Sequence, residues 1–353
     1  MNFEQLIKFA VEQGASDLHF QTGASPLLRI NGLIRAVESP PVSDPELRQF
    51  ILSIHPGLTA ESLGEMLVQG LDFSYAIPGL SRFRCNIYSH MGTPAMVMRT
   101  IQLRVRTLEE LQLPPVIRDI ALSMRGLTLV TGTTGSGKTT TLAAMVDLIN
   151  NSYRCKIITI EDPIEYAHAN QKAMISQLEL GRDTPSFEHG LRQALRQDPD
   201  VILVGEIRDS ETMRMALRAA DTGHQVFSTV HSSNAAQTIE RVLAMIPPEE
   251  RGIATSQLAG SLVAVISQRL AATRDNNRRA VMEILRGGPV TSKYILENRL
   301  GELSDFIGGR ELGMQRFDQH LIDLYNQKVI SGTEAIRLAT NPEAVALGLR
   351  GIH

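Results

Sequence analysis

The stretch "GTTGSGKTT" (132–140) constrains this chain more than any other, because its glycines, lysine and threonines fit G-x-x-x-x-G-K-[ST]. The motif needs a strand before it and a helix after it, and both are legible. "LTLVTG" (127–132) reads as a buried strand, and Leu142, Met145, Val146 and Ile149 share one helical face beyond it. Chemistry explains the residue types. Gly132, Gly135 and Gly137 let the backbone curl around Thr133, Thr134 and Ser136 until successive N–H groups point at phosphate oxygens. The helix N-terminus adds positive potential. Lys138 is placed to neutralise β- and γ-phosphates, the Thr139 hydroxyl to ligate Mg2+, and Thr140 closes the cradle. ATP with Mg2+ is the expected ligand.

Strand and helix patterns go on alternating, which predicts an α/β fold with a parallel sheet and crossover helices. "CKIITIEDP" (155–163), "VILVGEIRD" (201–209) and 225–230 read as strands. Helices are expected within 187–200, ended before Pro199, and at 211–221, the second capped by Asp209 or Ser210 and ended by Gly223. Ligands of such sheets bind outside the carboxyl ends of the strands, which is where Glu161, Asp162, Glu165 and Glu206 fall. Glu206 follows its apolar strand directly and is the first candidate for polarising an attacking water, with Glu161 second. For Asp162 and Glu165 a turn cap or an arginine pair remains an open alternative.

"TGHQVFSTVH" (222–231) places His224 and His231 at opposite ends of the strand 225–230. At ~3.3 Å per residue they stand about 20 Å apart, too far to share one metal ion. His231 falls at the nucleotide end, where it can sense or hydrogen-bond the γ-phosphate; His224 falls at the far end and is expected to buttress the fold or an interface. His19, His55, His90, His168, His189, His320 and His353 are expected to be surface or satisfied polar groups.

Residues 1–100 read as a smaller α/β unit. Leu6, Ile7, Ala10 and Val11 line a helix ending at Gly14, and "LLRINGLIR" (27–35) is a hairpin turning at Asn31-Gly32. "SRFRCNIYSH" (81–90) and "AMVMRTI" (95–101) read as strands, and 104–115 as a linker. The tail from about 289 reads as helical, with a Ser331…Glu334 capping box and a last helix opening at Asn341-Pro342. At 353 residues the chain exceeds one ordinary core, so two domains are expected. A net charge of −3 provides no overall positive field for nucleic acid, and two cysteines with no C-x-x-C exclude a paired-cysteine zinc site. The N-terminus does not read as a signal peptide, and no apolar run approaches the ~20 residues of a membrane span. A cytosolic protein that meets membrane only through a partner is expected.

Taken in order, "GTTGSGKTT", "TIEDPIEY" (159–166), "DPDVILVGEIRD" (198–209) and "TGHQVFSTVH" resemble the Walker A, Asp box, Walker B and His box of the secretion ATPase superfamily. "GASDLHF" (14–20) and "SRFRCNIY" (81–88) resemble its N-terminal PAS-like domain. The chain has no tetracysteine insertion and resembles the short PilT-type branch of type IV pilus motors. The resemblance implies a PAS-like domain over 1–103, a linker over 104–115, a RecA-like P-loop ATPase core over 116–288 and a C-terminal helical region over 289–353. It also implies a homohexameric ring at the cytoplasmic face of the inner membrane, working on a membrane platform protein in pilus retraction. A related secretion or DNA-uptake machine, or an accessory paralogue, is the alternative. One departure stands: after "VMEIL" (281–285) the chain reads "RGGPVTSKYILENRLGEL", where the branch carries a signature resembling A-I-R-N-L-I-R-E.

Arg82 and Arg84, two apart on one strand, share a face, and Arg99 lies on the next strand. From the residues alone, a solvated face of paired charges and a set of phosphate-seeking arginines stand equally open. The resemblance implies the second, with these arginines serving a nucleotide across the ring.

Overall fold

The structure, a computed structural model, describes residues 2–30, 32–101 and 104–351. The chain divides into two units: Met1–Arg104 with Glu165–Ala167, and Val105–Ile164 with His168–His353. The α/β class expected from the sequence is borne out.

The first unit is built on six strands: β1 (Asp17–Gln21), β2 (Leu27–Ile30), β3 (Leu33–Ala36), β4 (Leu71–Ile77), β5 (Ser81–His90) and β6 (Thr93–Ile101). They pair antiparallel throughout, in the order β3-β2-β1-β6-β5-β4. Helices Phe3–Glu12, Asp44–Ile54 and Ala60–Gln69 share one core with this sheet. Phe3 stacks on Phe50 at 4.3 Å between centroids, and Phe20 meets Phe3 edge-on at 5.4 Å. Alternation along β5 buries Phe83, Cys85 and Ile87 and leaves Arg82 and Arg84 half-exposed on the opposite face. The expected hairpin pairs Ile30 with Leu33, and Gly32 at φ +83° supplies the left-handed turn residue. Asn31, residue 103 and His353 lie outside the described residues.

The second unit carries β7 (Gly126–Thr131), β8 (Lys156–Glu161), β9 (Met174–Glu179), β10 (Val201–Val204), β11 (Gln225–Val230), β12 (Leu262–Ala272) and β13 (Arg278–Arg286) in the order β13-β12-β7-β11-β10-β8-β9. All its pairings are parallel except that of β12 with β13. Alternate residues feed two cores, one on each face: Ile202 and Val204 join one, Val201 and Leu203 the other. That two-sided burial is why β10 has no polar residue.

β8 stops at Glu161 and β10 at Val204, so Glu206 lies beyond its strand in the turn that follows. Asp209 is the cap of the next helix, its Oδ1 accepting from Thr212 N–H at 2.8 Å. Strands β9, β12 and β13 lie outside the sequence expectation. Helix Arg251–Ser261 runs directly into β12 at Leu262, so no turn residue marks the change. Within 104–115, expected as a linker, Leu108 is buried in a core of the second unit. Helices Pro289–Leu296, Leu303–Gly308, Phe317–Asn326, Gly332–Leu338 and Pro342–Gly348 fill the tail, and Phe317, Leu321 and Leu324 pack with Ala271 and Val281. The capping box at Ser331 is only half made. Its hydroxyl accepts from Glu334 N–H at 3.1 Å, but the Glu334 carboxylate turns to Ala272 N–H at 2.8 Å.

Candidate active site

β7 delivers the chain into residues 132–137, and helix Lys138–Ser152 carries it away. Gly132 (φ +140°) and Gly137 (φ +92°) have left-handed backbones, and both are crowded. A Cβ on Gly132 would lie 2.4 Å from the Gln268 carbonyl oxygen, and one on Gly137 2.8 Å from Gln268 Nε2. Gly135 (φ +80°) has open space, so only its backbone angle asks for glycine. Lys138 Nζ donates to the carbonyls of Gly132 and Thr133, both at 3.0 Å, which curls the ammonium over the loop. Thr133, Thr134 and Gly135 are exposed, Thr139 and Thr140 half-buried. The Ser136 hydroxyl is buried with no partner among the described residues.

The loop fits the phosphates of a nucleotide: the left-handed backbones of Gly132, Gly135 and Gly137 give it a tight curl, and its lysine donates to carbonyl acceptors that phosphate oxygens would outcompete. Thr139 suits Mg2+ as a hard oxygen donor, the kind this ion takes alongside phosphate oxygens. No group of three or more His, Cys, Asp or Glu that could hold a metal occurs among the described residues.

The carboxyl ends of β8, β10 and β11 lie side by side, with Val204 opposite both Ile160 and Ser228. The turn after β10 is pinned on both sides. Gly205 N–H donates to Ile160 O at 2.8 Å, and the Thr229 hydroxyl donates to Gly205 O at 2.7 Å. This aims Glu206, 15% exposed, so that Arg208 pairs with its Oε1 while His231 Nε2 stands 3.6 Å from its Oε2. Glu161, buried at the end of β8, accepts from the Thr159 hydroxyl at 2.6 Å and from Gln177 Nε2 at 3.1 Å. Asp162 and Glu165 are exposed, and Glu165 groups with the first unit. His224, at the other end of β11, bonds through Nδ1 to Ala219 O at 3.0 Å and holds the C-terminus of helix Ser210–Asp221.

Sequence reasoning missed Gln268, Gln177 and Arg208. Only Arg208 had a usable signal, standing two residues after Glu206 in the same motif. The two glutamines reach the site from β12 and β9, strands that carry no motif.

In the first unit, strand register forms a row across the sheet: Arg84 opposite Arg99, Arg99 opposite Asp17, Asp17 opposite Arg29. Arg99 Nε donates to Asp17 Oδ1 at 2.8 Å, and Arg84 Nε lies 3.5 Å from Asp72 Oδ1. Burial pushes the Asp17 carboxyl up, but hydrogen bonds from Arg99 and Ser16 outweigh it and hold the group below the usual carboxylate range. Arg84 and Arg99 therefore have carboxylate partners within their own unit; Arg82 shares the face of Arg84.

A glycine-rich turn at the carboxyl edge of a largely parallel sheet, with Glu161, Glu206 and His231 on that same edge, is the arrangement of a P-loop ATPase. The family model of the type II/IV secretion system protein matches residues 2–304. The type IV pilus retraction ATPase PilT of Pseudomonas aeruginosa is 43% identical, over 97% of this chain and 99% of that one. The type IV pilus ATPase PilU of the same organism is 37% identical, over 99% and 92%. A crystal structure of the pilus retraction motor PilT with bound ADP superposes with a TM-score of 0.89 at 36% identity, covering 98% of each chain. The chain belongs to the type II/IV secretion system protein family, as a PilT-like ATPase. No described helix is long and apolar enough to cross a membrane.

Proposed function

We propose that this ATPase is the motor of type IV pilus retraction, working as a homohexamer on an inner-membrane platform protein from the cytoplasmic face. The observation that carries this reading is the end-to-end correspondence with the retraction ATPase, 97% of one chain against 99% of the other. Loop N–H groups and Lys138 hold the phosphates of ATP, and Thr139 would be the protein ligand of Mg2+. Bound Mg2+ would neutralise charge on the phosphate oxygens. Glu206 orients and polarises the attacking water, and His231, beside its carboxylate, hydrogen-bonds the γ-phosphate or Glu206 itself. Glu161, fixed by Thr159 and Gln177, serves as the second acid. Arg82, Arg84 and Arg99 act on the nucleotide of a neighbouring copy, with Asp17 and Asp72 setting the directions of Arg99 and Arg84.

A second reading is favoured by two observations. The stretch after β13 departs from the retraction signature, and the chain matches PilU over 99% of its length. An accessory role beside a principal retraction ATPase would follow. Deleting the gene and scoring twitching separates the two: loss of twitching supports the principal motor, retained twitching the accessory. Purified wild-type protein with ATPase activity at background would overturn both.

A further inference from the structure

Gln268 lies on β12, which runs parallel to β7 with Ser267 opposite Thr131, the last strand residue before the cradle. The side chain is 3% exposed, and both ends of its amide are used. Nε2 donates to the Ser136 carbonyl at 2.7 Å, and Oε1 accepts from the buried Thr141 hydroxyl at 2.9 Å. The same residue crowds both ends of the loop, since its carbonyl faces Gly132 and its amide faces Gly137.

One consequence is geometric. A trans peptide is planar, so its C=O and N–H point in opposite directions. Drawing the Ser136 carbonyl toward β12 turns the Gly137 N–H the other way, toward the interior of the curl. The bond to Thr141 meanwhile holds the first turn of the helix whose N-terminus faces the same space. A neutral amide suits both partners at once: a carboxylate would set an acceptor against the Ser136 carbonyl, and an ammonium has nothing with which to accept from Thr141.

We propose that Gln268 is a positioning residue for the nucleotide: it orients the Ser136–Gly137 peptide and the start of the helix so that their N–H groups meet phosphate. The proposal rests on the reading of the cradle as a nucleotide site. The test is ADP titration of the purified full chain, with steady-state ATPase kinetics and melting without nucleotide. Gln268→Met fills the space without either hydrogen bond, and Gln268→Asn is too short to reach both partners. Each raises the Kd for ADP and the KM for ATP about tenfold, and kcat at saturating ATP stays within about twofold. Thr141→Val, which keeps the bond to Ser136, raises Kd less than about threefold. Folded Gln268 variants with unchanged Kd and KM overturn the proposal, even if their melting temperature falls, since that loss would mark a structural residue only. A wild type that binds no ADP overturns the nucleotide reading itself, and this proposal with it.

Discussion

Glu206 and His231 meet at the carboxyl ends of neighbouring parallel strands, with Oε2 and Nε2 3.6 Å apart. The pairing of β10 with β11 sets this distance, and the turn at Gly205 is tied to the strands on both sides. Glu206→Gln keeps the shape and removes the base, so turnover falls at least about 100-fold while ADP binding changes little. His231→Ala also cripples turnover with binding retained. His224→Ala loses the contacts of Nδ1 with Ala219 O and with the Thr222 hydroxyl, which costs about 1 kcal/mol of stability and little activity. Single-turnover kinetics and ADP titration check the set. Equal kinetic loss in the two histidine variants would overturn the division of roles.

The glycines of the cradle separate space from backbone angle. Gly132→Ala drives a methyl into the Gln268 backbone and is expected to abolish ADP binding and cost about 1–3 kcal/mol. Gly135→Ala meets no neighbour, so only the left-handed angle is penalised, at about 1 kcal/mol. Melting curves and ADP titration of the two variants should rank them in that order; a Gly132→Ala protein that binds ADP normally would contradict the crowding argument.

Two histidines, His320 buried and His168 half-buried, predict acid sensitivity. Burial pushes His168 and His320 down to about 4, and neutral His320 accepts from Met282 N–H at 3.0 Å on β13. Their folded pKa lies below the unfolded value of ~6.5, so the unfolded chain binds more protons in between. Stability from these groups is complete above about 6.5 and drains away as pH falls toward 4. Denaturant unfolding at stepped pH should show this slope, and His320→Gln, whose amide oxygen still accepts, should make it shallower. An unchanged slope in that variant would remove His320 from the account.

Asp17 anchors Arg99 and has Arg29 at 3.6 Å. Because its carboxyl is held below the usual range, its contribution is present above the unfolded pKa of ~3.9 and is lost on further acidification. Asp17→Asn removes that charge at neutral pH and should cost about 1–3 kcal/mol. If Arg99 serves a neighbouring copy, the same variant lowers the ATPase rate of the assembled ring but leaves ADP affinity alone. An unaffected rate would leave Asp17 with a structural part only.

The legible parts of this protein are those in which neighbouring residues share one task. Cradle, strand and helix are contiguous, so the motif from Gly132 to Thr140 could be read with its flanks. An unbroken apolar run revealed β10, because burial on both faces leaves no polar alternation, and β7 stood out by its place directly before the glycine motif. β9 carries serine, glutamine and glutamate among its apolar residues, and β12 continues a helix without a turn, so neither offered a boundary to read.

From sequence alone came the reading of the glycine motif as a phosphate cradle, the placing of Glu161 and Glu206 at one edge of the sheet and the separation of His224 from His231, all of which follow from local spacing and the length of one strand. Tertiary structure decided what the spacing could not. It set Gln268 and Gln177 against the cradle and Glu161, tied Arg208 to Glu206, and gave Arg99 and Arg84 carboxylate partners within their own unit. The contacts of the two glutamines and of Arg99 depend on which strands lie side by side and in what register, and pairing between strands far apart in sequence joins residues whose neighbours leave no trace of the partnership.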